Sequence, residues 1–114
     1  MLLAAPPPPV WIQRANVPPP IVAWRLADVL GTPVVEGITV DRDSGTTLTV
    51  SVVDSRHDPP RIVRQRDLPG KKVVRLRAGK RDHLARNEIR VTTEKATYVL
   101  RVGNGFRLQL VRTV

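Results

Sequence analysis

The chain has 114 residues, no cysteine, 4% aromatic residues and a formal net charge of +9, which fits one domain whose core can stand without metal or disulfide. The missing thiols exclude a disulfide framework, a thiolate zinc site and a cysteine nucleophile. The charge is uneven, −2 over residues 1–55, +8 over 56–90 and +3 over 91–114, and such localisation points to a polyanion or an acidic protein surface as partner.

In chain order, Met1-Leu2-Leu3-Ala4-Ala5 is apolar but has no basic leading residues, and it meets Pro6 too soon for a secretion leader. No run of eighteen apolar residues occurs, so no membrane-spanning helix is expected and the compartment stays open. Seven of the 11 prolines then stand as Pro6-Pro7-Pro8-Pro9 and Pro18-Pro19-Pro20. Both runs favour polyproline II, so residues 1–20 read as a stiff, extended arm. Between them lie Val10, Trp11 and Ile12. Leaving large apolar side chains wet forfeits roughly 1.5–3 kcal/mol each, which marks this trio as an anchor, preferably for an adjacent subunit.

Ile21–Leu30 lies between Pro20 and Gly31, the order of a helix start and stop. Val22, Leu26, Val29 and Leu30 share one helical face, although Val22, Trp24 and Leu26 would also suit a strand. The expectation is a short helix that completes an N-terminal unit, residues 1–32, ahead of a β domain, residues 33–114.

From Pro33 the period becomes two. Ile38 and Val40, then Leu48, Val50 and Val52, alternate with polar residues around Asp43-Ser44-Gly45, which reads as a hairpin. Arg61–Arg64 reads as a short edge strand and Leu68-Pro69-Gly70 as a turn. Val74, Leu76 and Ala78 form one face of the next strand, with Val73, Arg75 and Arg77 on the other. After a polar loop over residues 79–87, Ile89 and Val91, then Tyr98, Leu100 and Val102, continue the rhythm. Gly103-Asn104-Gly105 contains the pair favoured in type I′ turns and leads into Phe106, Leu108 and Leu110. The whole reads as an all-β fold, a small antiparallel β-sandwich or partly closed barrel of six to seven strands.

Arg75, Arg77, Arg90, Arg101 and Arg107 occupy the polar phase of their strands, so a meander in register gives them one sheet face. Lys71, Lys72, Lys80, Arg81 and Arg86 fall in loops at its ends. Guanidinium forks suit phosphates or carboxylates, while the scarcity of aromatics leaves few stacking platforms for bases. Asp54-Ser55-Arg56-His57-Asp58 contains hydrolase side-chain types, but neighbours in sequence diverge at a strand end and no nucleophile elbow is present. Asp41-Arg42-Asp43-Ser44-Gly45 starts like a calcium loop but lacks its closing glutamate, and a hairpin turn accounts for it. No catalytic residue, metal site or cofactor is expected.

The expected function is therefore a non-enzymatic structural or assembly protein that docks on other protein subunits through its arm and basic face. A phage or virion capsid, connector or tail component is the preferred form, and a subunit of a secretion or pilus apparatus comes behind it. The alternative is a β-barrel module that binds nucleic acid or another polyanion.

Overall fold

The alternating sequence builds eight strands in two antiparallel sheets in a computed structural model that describes residues 6–114. The first sheet runs β1 (Ile21–Ala27), β2 (Glu36–Arg42), β3 (Thr47–Asp54), β4 (Arg61–Pro69). The second runs β5 (Val73–Ala78), β6 (Glu88–Thr93), β7 (Thr97–Arg101), β8 (Gln109–Thr113). The fold is nearly all β as expected, with eight strands in place of six or seven, and the sheets do not close into a barrel. The apolar start, Met1–Ala5, lies outside the described residues. No helix among the described residues is long and apolar enough to cross a membrane.

The period of two explains the core. Ile38, Val40, Leu48, Val50 and Val52 project from one face of the first sheet, and Ala78, Ile89, Val91 and Leu100 from the facing side of the second. All nine are fully buried in one shared cluster. The segment expected to be helical is instead β1, paired with β2 from Ile21↔Asp41 to Ala27↔Glu36. Cross-strand pairing outweighs helix propensity here, and the Gly31 stop signal belongs to the loop after the strand. That loop is organised by the buried Glu36 carboxylate, which accepts the Val29 and Leu30 amides at 2.8 Å each and the Thr32 hydroxyl at 2.7 Å. β4 is longer than expected because Leu68 and Pro69 continue the ladder opposite Leu48 and Thr47.

The two seams between the sheets differ. On the β4 side the Gln65 amide donates to the Phe106 carbonyl at 2.9 Å, and the Leu108 amide donates to the Gln65 carbonyl at 3.1 Å. Arg64 and Arg66 add guanidinium bonds to the Gly103 and Leu108 carbonyls, each at 3.0 Å. On the other side, edge strands β1 and β5 lie next to each other with no ladder, flanking a groove of about 540 Å³ lined by Val22, Trp24, Leu26, Val73 and Leu76. Arg25 reaches across this seam to Asp82 in the 3₁₀ turn Lys80–Asp82, with Nε at 2.8 Å and a second bond to the other carboxylate oxygen.

The stitched seam overturns the reading of residues 103–108. Neither Asn104 nor the flanking glycines have positive φ, so no type I′ turn forms. The segment leaves the second sheet to pair with β4, which buries Leu108, leaves Phe106 56% exposed and delays β8 to Gln109.

Candidate functional site

The outer face of the second sheet carries the arginines. Register places Arg77, Arg90, Val99 and Arg112 in one row across β5 to β8, with Arg75, Thr92 and Thr97 on one side of it and Glu88, Arg101 and Gln109 on the other. Four of the five expected residues, Arg75, Arg77, Arg90 and Arg101, therefore share the face, and Arg107 does not. Arg107 sits in the segment that bridges to Gln65 of β4.

Its place is taken by Arg112, which the sequence reading missed. Val99 pairs with Arg112 but Leu100 pairs with Leu110, so Val111 is an extra residue, a β-bulge. One extra residue reverses the phase of whatever follows it, and this turns Arg112 outward. No local signal in the sequence marks it.

Electrostatically the face is lopsided, five arginines against the single carboxylate of Glu88. Arg90 uses that carboxylate at 2.5 Å, and Arg77 donates to the Asp82 carbonyl at 2.8 Å. Arg75, Arg101 and Arg112 are exposed and form no ion pair among the described residues. Val99 points to this side yet is only 2% exposed, as expected when the stems of its arginine neighbours fold over it. Of the loop residues, Lys71 and Lys72 stand at one end, where their amides donate to the Glu94 carboxylate at 2.8–3.2 Å. Lys80, Arg81 and Arg86 stand at the other end and are exposed. Arg81 bonds the Leu26 carbonyl at 3.2 Å and Arg86 lies against Gly31, so both lean towards the first sheet.

The chain's own arm lies over part of the outer face of the first sheet, at Gly37, Val53 and Ile62. The arm is not extended throughout as expected: Val10–Gln13 form one helical turn, α1, and Asn16 at φ 60° bends the chain back. The Pro9 carbonyl accepts the Ile12 amide at 3.0 Å, because proline presets the dihedral of a helix's first turn as readily as that of an extended chain. Ile12 is fully buried, Trp11 partly, and Val10 is 72% exposed, so only part of the expected anchor is seated. Ala15 and Val17 form a small apolar cluster with Val53, flanked by Trp11, Ile21 and Ile62. The seat needs Gly37, where a Cβ would lie 2.7 Å from Ile12 Cδ1. The remaining ties are the Arg14–Asp58 ion pair at 3.0 Å and the bond from Trp24 Nε1 to the Pro6 carbonyl at 2.7 Å.

Beyond these residues that face is polar. In the row Thr39, Ser51, Gln65 the Gln65 amide donates to Ser51 at 3.1 Å, and in the row Asp41, Thr49, Asp67 the Thr49 hydroxyl donates to Asp67 at 2.8 Å. Each row thus satisfies its β3–β4 pair and leaves its β2 member, Thr39 Oγ1 or Asp41 Oδ1, buried with no partner. Burial, reinforced by the nearby charges of Asp43 and Asp67, pushes the Asp41 carboxyl up to about 6.

The residues with hydrolase side-chain types make ordinary turn contacts. Arg56 grips Asp54 through Nε and the second guanidinium nitrogen at 2.8–3.3 Å and holds that carboxyl low, His57 stands 3.7 Å from it, and Ser55 faces the Val35 carbonyl. Asp43–Thr46 close the β2–β3 hairpin. No group of three or more His, Asp or Glu side chains able to hold a metal comes together among the described residues.

Compared with protein-family models, with curated proteins and with solved structures, the chain matches none.

Proposed function

We propose that this chain is a non-enzymatic structural protein, a β module that docks into a larger multi-subunit assembly, with a phage or virion capsid, connector or tail component as the form that suits it best. The observation that carries the reading is the asymmetry of the two sheet faces. The outer face of the first sheet is partly occupied by the arm, whereas that of the second presents five arginines, three of them without an ion pair, and no layer over them among the described residues. Exposed arginines in a fixed array suit an acidic protein surface, since bidentate contacts give both orientation and energy.

Light scattering at rising protein concentration tests this. The native chain is expected to associate, and R75E/R101E/R112E to weaken association at least tenfold. A monomer at every concentration, indifferent to the triple variant, would sink the proposal.

A second reading, binding of nucleic acid or another polyanion, is favoured by one feature, the threonines Thr92 and Thr97 beside Arg75, whose hydroxyls bond each other at 2.9 Å and leave one proton to donate to a phosphate. It predicts that affinity for single- or double-stranded DNA falls steeply with salt, with a log–log slope of roughly −0.7 to −0.9 per phosphate contacted.

A further inference from the structure

The arm is attached to the body in an unusual way for a segment with a fully buried side chain. Its backbone bonds from residues 9–15 close on the arm itself, Ile12 to Pro9, Arg14 to Val10 and Ala15 to Ile12. Contact with the sheet is made by the arm's side chains, namely the Ile12 plug over Gly37, the Ala15 and Val17 cluster with Val53 and the Arg14–Asp58 pair, and by one backbone carbonyl, that of Pro6, which accepts Trp24 Nε1. Ladder hydrogen bonding resumes only where the Pro20 carbonyl accepts the Arg42 amide at 3.2 Å. Arm and seat are therefore a plug and a socket joined by Pro18-Pro19-Pro20, residues that donate no amide hydrogen and restrict the chain's freedom when undocked.

The seat itself is apolar, Gly37, Val53 and Ile62, and on the same outer face Thr39 Oγ1 and Asp41 Oδ1 lie buried without partners. An element that docks through its own side chains makes the same contacts on a second copy as on its own body. Exchange then leaves the contact energy unchanged and is decided by concentration and the joint.

We infer that the arm is exchangeable: residues 6–17 of one copy seat on the outer face of the first sheet of a second copy, Ile12 over Gly37 and Arg14 on Asp58. The occupant is a second copy of this chain because the socket is shaped for one sequence. A glycine is needed under Ile12, and among the described residues the exposed Asp58 faces Arg14, the one arginine of residues 6–17. The inference rests on the assembly reading above and names one of its partners.

The absence of cysteine makes the test clean. A Cβ at Gly37 lies 2.8 Å from Ile12 Cγ1, which puts the two Cβ atoms within about 4.3 Å, inside the ~3.5–4.5 Å that a disulfide spans. Full-length I12C and full-length G37C are mixed at high concentration and oxidised, beside each variant alone and beside the double variant. Exchange predicts a covalent species of twice the chain mass in the mixture, several-fold above either variant alone and rising with concentration. Internal closure of the double variant with no such species in the mixture would overturn the inference.

Should G37C unsettle the sheet, R14C and D58C, both at exposed positions, are joined instead by a short bis-maleimide linker and read the same way. Association that persists and depends on Arg75, Arg101 and Arg112 while no arm cross-link forms would remove the exchange and leave the assembly reading standing.

Discussion

Asp41 is a group this fold accommodates badly. Its cross-strand neighbour Thr49 donates to Asp67 on the far side, so one carboxylate oxygen is buried with no donor. The unfolded chain loses this proton near the ordinary aspartate value of 3.8, whereas the folded chain keeps it to about 6. Stability from this group is therefore greatest below pH 4, falls between about pH 4 and 6 and is level above that. Asp41→Asn is expected to stabilise the protein by roughly 1–3 kcal/mol at pH 7 and hardly at all at pH 4, measured by urea unfolding at both values. Glu36 is the opposite case, a buried carboxylate with every approach answered by the loop it organises. Glu36→Ala would strand the buried Val29 amide and the half-buried Leu30 amide and is expected to lower unfolding free energy by about 2–4 kcal/mol, read from the denaturation midpoint.

At the scale of elements, the arm and β8 are the two pieces that depend on something distant. Gly37→Ala puts a methyl group where Ile12 sits, so it is expected to expose the arm to limited proteolysis between residues 9 and 20. The sheets, whose core cluster does not include Gly37, should keep their circular dichroism. Loss of the sheet signal together with the arm would mean that the arm is part of the fold and not a docked segment.

The central hairpin and the strands around Ile89 and Leu100 were legible in the sequence, because a period of two needs no knowledge of the partner. Arg75, Arg77, Arg90 and Arg101 were legible for the same reason. β1 was not, since Pro20 and Gly31 bracket it like a helix and only pairing with β2 decides the matter. Arg112 and Arg107 were exchanged because a bulge at Val111 and a detour to β4 shift phase without any local mark. The arm's seat was out of reach, as its key feature is a missing side chain on another element.

For the molecule as a whole, acid acts on the less secured seam. Arg25, through its side-chain hydrogen bonds, holds the Asp82 carboxyl down to about 2, with the Ala78 amide adding to the effect. That stabilisation is present above the ordinary value of 3.8 and is lost as the pH falls from about 4 to 2. Together with Asp41, this predicts that the contributions of these two groups peak near pH 4. Asp82→Asn should flatten the acid limb of the stability profile and Asp41→Asn the neutral limb, as measured by thermal unfolding from pH 2 to 7.

The two unlike seams also have a mechanical meaning. The arm joins the body at Pro20, directly ahead of β1, the edge strand on the seam that has no ladder across it. Tension applied through the arm would peel β1 from β2 one bond at a time, beginning at the contact between Pro20 and Arg42. The arginine-bearing sheet has its backbone bonds to the first sheet through β4, three strands further from the load, and would keep its shape once the Arg25–Asp82 and Arg81–Leu26 bonds to β1 give way. Copies linked by their arms would thus have a built-in fuse, failing at a strand that can re-pair and sparing the surface that meets a partner.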